Sequence, residues 1–524
     1  MIKGFIYKWH RKLSIIVVIP VLLWAISGFM HPIMTNIRPN ITTQALSYKS
    51  IDSSKIKLSL KYALLNNRID TINNVHIVSF DTLYFYQVFT PKYALPVYIN
   101  TITGKVLFNG DELYAIYLAK YFLNGNKCKE NDTNKAVGNA TTDDCCSNLS
   151  STLEGGNDDA SVKTISWVTN FDGEYKYINR LLPVYKVAFK RADGIRIYVD
   201  TEQSRFSMAV DNKRAIFNKL FGLFHTWDWL DFLGKGKELV ILCFSLLAFV
   251  IAVMGITIFF FTKTKKPRGN AYMKTKWWHR TTAISASLFT LLFSFSGAYH
   301  AYSKWNEKVE IVQSFHQNYP SSAIDLVLEN LLKATPSGSI YNIGMATIQG
   351  QTYWQLYLSS KQARSKNKTD LMKAMSVSGT SIAYVNATDY TLLKNGDELY
   401  ATEVAKKFNP KDSESATGML ITKFTDEYNF ADKRLPVWKI PFNSNDNKRL
   451  YIETQTGTLA KAVADGELYE GYSFALFHKH HFMDFAGKIW RDASTMFWAF
   501  MQIIMVIIGL TLWLKRSRKT NRKV

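Results

Sequence analysis

Four charge-free apolar runs interrupt an otherwise polar chain: Leu13 to Met30, Leu239 to Phe261, Thr281 to Tyr299 and Ala493 to Leu514. A helix of roughly 20 residues crosses the hydrocarbon core of a bilayer, so the pattern predicts four spanning helices. Between the runs the period changes. Alternation in Val75 to Phe80, Leu83 to Phe89 and Val97 to Ile99 predicts antiparallel strands. The Thr103-Gly104 and Thr456-Gly457 pairs suit hairpin turns, because glycine accepts positive φ. After Asn109 and again after Asn395, the apolar spacing of Leu113, Ile116 and Tyr117, or of Leu399, Val404 and Ala405, predicts a helix. Asp and Glu in its first turn favour a helix start over a catalytic dyad. The predicted fold is a membrane protein of four transmembrane α-helices in two pseudo-symmetric halves, each carrying an α+β domain built on antiparallel sheet.

The two halves can be aligned residue by residue. His10-Arg11 recurs as His279-Arg280, and Ser27-Gly28 with His31 recurs as Ser296-Gly297 with His300, all at an offset of 269. The heptapeptide from Asn109 to Ala115 returns unchanged from Asn395 to Ala401. Phe221, His225, Asp231, Phe232, Gly234 and Lys235 match Phe474, His478, Asp484, Phe485, Gly487 and Lys488 at an offset of 253. The chain is one unit written twice.

A net charge of +22 raises the question of a nucleic-acid partner, and the placement of the charge answers it. Lys3, Lys8, Arg11 and Lys12 precede the first span, Lys263 to Arg280 is basic between the second and third, and Lys515 to Lys523 follows the fourth, with no acidic residue in these stretches. The positive-inside rule therefore places both termini and the middle linker in the cytoplasm and the long segments outside, with no nucleic-acid role. The expected organisation is a cytoplasmic N-terminus and first span (1–34), a first outer domain (35–236), the second span (237–262), a cytoplasmic linker (263–280), the third span (281–303), a second outer domain (304–489), the fourth span (490–514) and a cytoplasmic tail (515–524). Each outer segment is long enough for its own core. The first span is read as retained, since its flank His31-Pro32-Ile33-Met34 lacks a small-residue cleavage pattern. Cys243 reads as a small packing residue, whereas Cys128, Cys145 and Cys146 fall in a polar inserted loop, Asn124 to Ser161, where one disulfide is compatible with an outer location.

The paired histidines carry the candidate chemistry. On an ideal helix the residues from His10 to His31 span about 31 Å, which puts one at each face of a membrane, with Pro20 as a kink site between them. A pseudo-twofold axis normal to the membrane brings His10 toward His279 and His31 toward His300, with His225 and His478 arriving beside the latter pair. Neutral imidazoles from facing helices supply the axial ligands of a low-spin haem iron, so His10, His31, His225, His279, His300 and His478 are candidate ligands of haem b. The competing reading is a set of interfacial anchors, strongest for His10 and His279 within Trp-His-Arg sequences. His480 and His481, which replace Trp227 and Asp228, suggest zinc or copper binding with His478 as an alternative. His76 and His316 lack counterparts in the repeat and read as surface residues. No CxxCH occurs, which excludes c-type attachment.

Trp-His-Arg opening a span, Ser-Gly then His closing it, Thr-Gly hairpins, and Phe-His…Asp-Phe…Gly-Lys leading into the next span together resemble the PepSY-associated transmembrane family, over nearly the whole chain. The doubled four-span plan is similar to the bacterial inner-membrane ferric-siderophore reductases. That resemblance implies PepSY-like periplasmic domains, two haems held by the six paired histidines, a quinol or cytoplasmic electron donor, and a ferric siderophore or other ferric chelate as acceptor. Unlike some flavocytochrome relatives, this chain has no GxGxxG unit and no flavin or nicotinamide domain. A non-redox scaffold or peptidase-regulating protein, and a Zn/Cu-binding membrane protein, are the alternatives. The spans carry no carboxylate, which weighs against a cation transporter.

Overall fold

The computed structural model describes residues 2–80, 82–125, 161–263, 267, 271–306, 314–335, 339–359, 380–410, 415–444 and 446–521. Its helices in chain order are α1 (Ile2–Asn36), α2 (Leu60–Asn66), α3 (Gly110–Asn124), α4 (Asn212–Phe221), α5 (Lys235–Phe261), α6 (Ala271–Asn306), α7 (Leu328–Ala334), α8 (Gly396–Phe408), α9 (Asp465–Ser473) and α10 (Lys488–Asn521). The chain forms two compact units. One gathers Met1–Arg38, Lys213–Val309 and Asp465–Val524; the other gathers Pro39–Asn212 and Glu310–Ala464. The stretches that lead into the second and fourth spans thus pack with the helices rather than with the α+β portion.

The helical unit is a multi-pass membrane bundle. Helices α1, α5, α6 and α10 are each long and apolar enough to cross a membrane. Even the shortest, α5 with 27 residues, is about 40 Å long at 1.5 Å per residue. They pack in the cyclic order α1, α5, α6, α10 and back to α1. The Ser-Gly pairs sit at the crossings between halves: a Cβ added to Gly28 would lie 3.8 Å from Ala499 Cβ, and one added to Gly297 would lie 3.7 Å from Ser245 Oγ. Ser245 and Ala499 are themselves related by the repeat, so each half lays its first helix on the second helix of the other. Small residues permit that close approach. Cys243 is exposed on α5 rather than packed between helices. The other cysteines, and the expected disulfide, lie outside the described residues.

The second unit is α+β. The first copy contributes the sheets β2 (Asn74–Phe80), β3 (Leu83–Phe89), β4 (Val97–Asn100) and β5 (Val162–Val168), β6 (Val184–Phe189), β7 (Arg196–Asp200), β8 (Arg205–Val210). The second copy contributes β10 (Ser339–Ile348), β11 (Gln351–Ser359), β12 (Thr380–Asn386), β13 (Leu392–Leu393) and β14 (Met419–Ile421), β15 (Val437–Pro441), β16 (Arg449–Glu453), β17 (Thr458–Val463). A short antiparallel pair, β1 (Thr71–Ile72) with β9 (Tyr319–Pro320), links the copies. All these pairings are antiparallel. The predicted turn glycines have positive φ, +71° at Gly104 and +61° at Gly457.

The heptapeptide repeat begins α3 and α8, and its chemistry differs from a simple helix start. Asn109 and Asn395 adopt left-handed backbone, with φ of 51° and 53°. The following glycine lies against a tyrosine: a Cβ on Gly110 would meet Tyr98 Cβ at 2.6 Å, and one on Gly396 would meet Tyr384 Cβ at 2.7 Å. The Asp that follows is an acceptor in the packed interior. Tyr98 Oη donates to Asp111 Oδ1 at 2.8 Å, and Tyr384 Oη to Asp397 Oδ1 at 2.9 Å.

Each copy has a core of its own, around Phe80, Leu118 and Ile197 in the first and Tyr384, Val404 and Ile452 in the second, and a further cluster is shared between them. Val75, Ile77 and Val88 of the first copy share one buried cluster with Ile343, Trp354 and Leu356 of the second. Strands β2 and β10 lie side by side, and β2 is buried at nearly every position instead of alternating. The two are stitched by side chains: Asn342 Oδ1 accepts from Ile77 N at 2.8 Å, and Asn74 Oδ1 from Met345 N at 2.9 Å. His76 is therefore a core residue rather than a surface one, fully buried with Nδ1 3.1 Å from Glu202 O. His316 is exposed, as expected. Buried ion pairs join the copies at the other sheets, with Arg205 and Arg434 both on Glu453 and Arg180 on Asp432.

Candidate functional site

Four of the six paired histidines gather at one end of the helical unit. After α4 and α9 the chain makes a π-helical turn, Gly222–Thr226 and Phe474–His478, that delivers His225 and His478. Single π-turns of this kind re-aim a side chain out of helical register. The rings of His225 and His478 are 5.8 Å apart between centroids and 76° apart in plane. Behind each lies a phenylalanine and then the histidine of the spanning helix. Phe221 lies 4.6 Å from His225 and 5.4 Å from His31; Phe474 lies 4.7 Å from His478 and 4.7 Å from His300. Ring contacts thus run in one row from His31 through Phe221, His225, His478 and Phe474 to His300.

The hydroxyls that precede each Ser-Gly glycine orient the central pair. Ser27 Oγ is 3.0 Å from His225 Nδ1, and Ser296 Oγ is 3.2 Å from His478 Nδ1. Each hydroxyl also donates within its own helix, Ser27 to Leu23 O at 2.8 Å and Ser296 to Phe293 O at 3.2 Å. A serine has one hydrogen, so once it is given to the helix carbonyl the oxygen lone pair must accept from the imidazole Nδ1–H. Burial keeps both rings neutral: it pushes the His225 imidazole down to about 3, and His478 well below its ordinary value. A neutral imidazole protonated at Nδ1 presents its lone pair on Nε2, the ligating form. Trp24 Nε1 completes the clamp by donating to His225 O at 3.1 Å.

The two halves are not identical here. Glu470 Oε1 lies 2.6 Å from His300 Nδ1, whereas the position that matches Glu470 in the first copy is Phe217. His300 therefore has a carboxylate partner and His31 has none of that kind.

The remaining pair stands at the opposite ends of α1 and α6. His10 packs on Gly255 of α5, with its Cε1 3.3 Å from where a Cβ would sit, and His279 packs on Gly509 of α10 at 3.1 Å. His10 Nδ1 is 3.2 Å from Ile251 O; the corresponding carbonyl for His279 is that of Met505, which its buried Nδ1 faces without hydrogen-bond geometry.

His480 and His481 do not join His478. His480 lies flat on Phe293, with centroids 5.2 Å apart and planes at 7°, where the first copy stacks Trp227 on Trp24 at 5.0 Å and 5°. It fills an aromatic slot, with Nδ1 3.0 Å from Ser494 Oγ. His481 pairs with Asp484 at 2.9 Å. Three adjacent histidines thus turn to three different partners, and among the described residues no group of three or more His, Cys, Asp or Glu is arranged to hold a metal ion.

The Ser–His contacts, the intervening Phe221 and Phe474, the Gly255 and Gly509 seats and the Glu470 partner were not singled out from sequence as parts of a site. Gly255 and Gly509 recur at an offset of 254, one more than the preceding segment, so a search allowing a one-residue shift finds them. Glu470 has no repeat signal at all. On the chemistry of the donor set, half-buried imidazoles with oriented Nδ1 atoms fit axial ligation of a haem iron. No protein-family model matches this chain, and no curated protein does.

Proposed function

We propose that this chain is a haem-b electron-transfer protein of a bacterial inner membrane that reduces a ferric chelate on the periplasmic side. The observation that carries the reading is the symmetric Ser27–His225 and Ser296–His478 pairing, which orients two half-buried imidazoles 5.8 Å apart between ring centroids. Hydrogen-bonding histidines through Nδ1 is the standard way to hold Nε2 for a metal. The resemblance to PepSY-associated ferric-siderophore reductases supports the acceptor class, and the basic segments support cytoplasmic termini. Haem, when bound, supplies reversible one-electron transfer at iron.

The residues that would hold it are His31, His225, His300 and His478 at one end and His10 with His279 at the other. Trp24, Phe221, Phe293 and Phe474 pack around the former set, and the two serines fix the tautomers of His225 and His478. A quinol or a cytoplasmic donor gives up electrons at the basic face, and each electron converts one Fe(III) to Fe(II) in the chelate. Fe(II) is bound less tightly by hard oxygen donors, so reduction releases the metal.

The test is a reduced-minus-oxidised spectrum with pyridine haemochrome quantification on protein purified after expression with ample haem. Sharp b-type bands that weaken in His225→Ala and His478→Ala, and persist in His480→Ala, are the expected result. A colourless protein overturns the reading and favours a scaffold or peptidase-regulating role.

A further inference from the structure

The α+β unit contains a cavity of about 250 Å³ that the electron-transfer reading does not use. Phe89, Tyr93 and Trp167 line it on one hand, and Asp111, Tyr185 and Glu202 on the other. Asp200 also lines it. The lining cation is Arg434, whose guanidinium is engaged by Glu453 at 2.5 Å. Carboxyl groups therefore outnumber free cationic ones around an apolar space.

In the second copy the corresponding carboxyl is fully partnered. There Asp397 is satisfied at both oxygens, accepting from Tyr384 Oη at 2.9 Å and from Trp438 Nε1 at 2.6 Å. In the first copy the position matching Trp438 is Tyr185. Asp111 keeps its bond from Tyr98 Oη, but the Tyr185 hydroxyl, on a side chain only 2% exposed, stands beside Asp111 without hydrogen-bond geometry to any protein group. Leu420, which matches Trp167, likewise lacks the aromatic face. The same scaffold thus answers the carboxyl with an indole in one copy and leaves in the other a cavity lined by an unanswered hydroxyl, a carboxyl and a tryptophan. Buried polar groups left unpaired are costly, so a ligand that pairs them binds with an advantage a purely structural site would not have.

We propose that this cavity is a binding site for a small organic cation: a primary ammonium on an aromatic or apolar body, with the nitrogen at Asp111 and Glu202 and the body against Trp167 and Tyr93. Burial pushes the carboxyls of Asp111 and Glu202 up, so an entering ammonium is the partner that draws them into the carboxylate form, and aromatic faces attract cations as well as apolar surface. The inference stands independently of the haem reading, since it concerns a different unit and its readout involves no redox centre.

The experiment is calorimetric titration of the purified full chain with phenethylamine, 2-phenylethanol and 3-phenylpropionate, which share a ring and differ in charge. Saturable binding of the amine, at least about tenfold tighter than the alcohol and with no binding of the carboxylate, is expected. Tyr185→Trp copies the indole–carboxylate pairing of the second half and should abolish amine binding while leaving the unfolding temperature intact. Asp111→Asn should reduce the preference for amine over alcohol by about tenfold. No saturable amine binding, equal binding of all three probes, or unchanged binding in a folded Tyr185→Trp variant overturns the proposal.

Discussion

Replacing Glu453 by Gln tests how the two copies of the α+β unit are held together. The Glu453 side chain is fully buried and takes Arg434 Nη1 at 2.5 Å, Arg205 Nη2 at 2.6 Å and Thr456 Oγ1 at 2.7 Å. Arg205 belongs to the first copy, so the carboxylate bridges the duplication. Despite burial, which opposes ionisation, the two guanidinium groups hold its carboxyl down to about 2. Against an unfolded value near 4.3, a depression of roughly 2 pH units corresponds to about 3 kcal/mol. Breaking a buried pair while leaving its cations in place typically costs about 3–5 kcal/mol, which agrees. With roughly 330 residues in the unit and about 2 cal/mol/K of unfolding entropy per residue, 3 kcal/mol lowers its Tm by about 4 °C. The assay is thermal unfolding of wild type and Glu453→Gln, in detergent, across pH. Because the folded pKa is depressed, the wild-type advantage is complete above the unfolded value. It is lost as pH falls from about 4.3 toward 2. A Tm difference below about 1 °C at pH 7, or one that is as large at pH 2 as at pH 7, would refute the reasoning.

Further outcomes follow from the same geometry. Gly110→Ala drives a methyl into Tyr98 and should cost about 1–3 kcal/mol in unfolding experiments, whereas Gly28→Ala meets only ordinary contact with Ala499 and should leave stability unchanged or slightly higher. Ser27→Ala with Ser296→Ala removes the Nδ1 partners of His225 and His478, and haem content per purified chain should fall. Ser294→Ala, whose hydroxyl bonds only its own helix, should leave haem content unchanged. Glu470→Gln weakens the charge-assisted bond to His300, and a potentiometric titration should show one centre moving to higher potential while the other stays; equal movement of both contradicts the asymmetry.

The parts of the fold legible in sequence were those governed by local period. The spanning helices follow from charge-free runs, and β2, β3 and β4 lie where the sequence placed strands, although their burial is nearly continuous rather than alternating because both faces are covered. The repeat showed that the halves would be related and marked six histidines. It could not show which imidazole faces which group. The acidic pair after Asn109 illustrates the boundary: position within a first turn suggested a dipole role, but the tyrosine that claims Asp111 comes from a different strand.

Sequence by itself determined the four spans, the duplication, and the placement of cations at one set of span ends, since each depends on composition within a window shorter than one helix. Only the tertiary structure decided that the two α+β copies share a core through β2 and β10, that Ser27 and Ser296 orient His225 and His478, and that His480 fills the slot of Trp227. These are contacts between residues far apart in the chain, set by which surfaces meet when backbone polar groups and apolar faces are all satisfied at once. No local pattern encodes them.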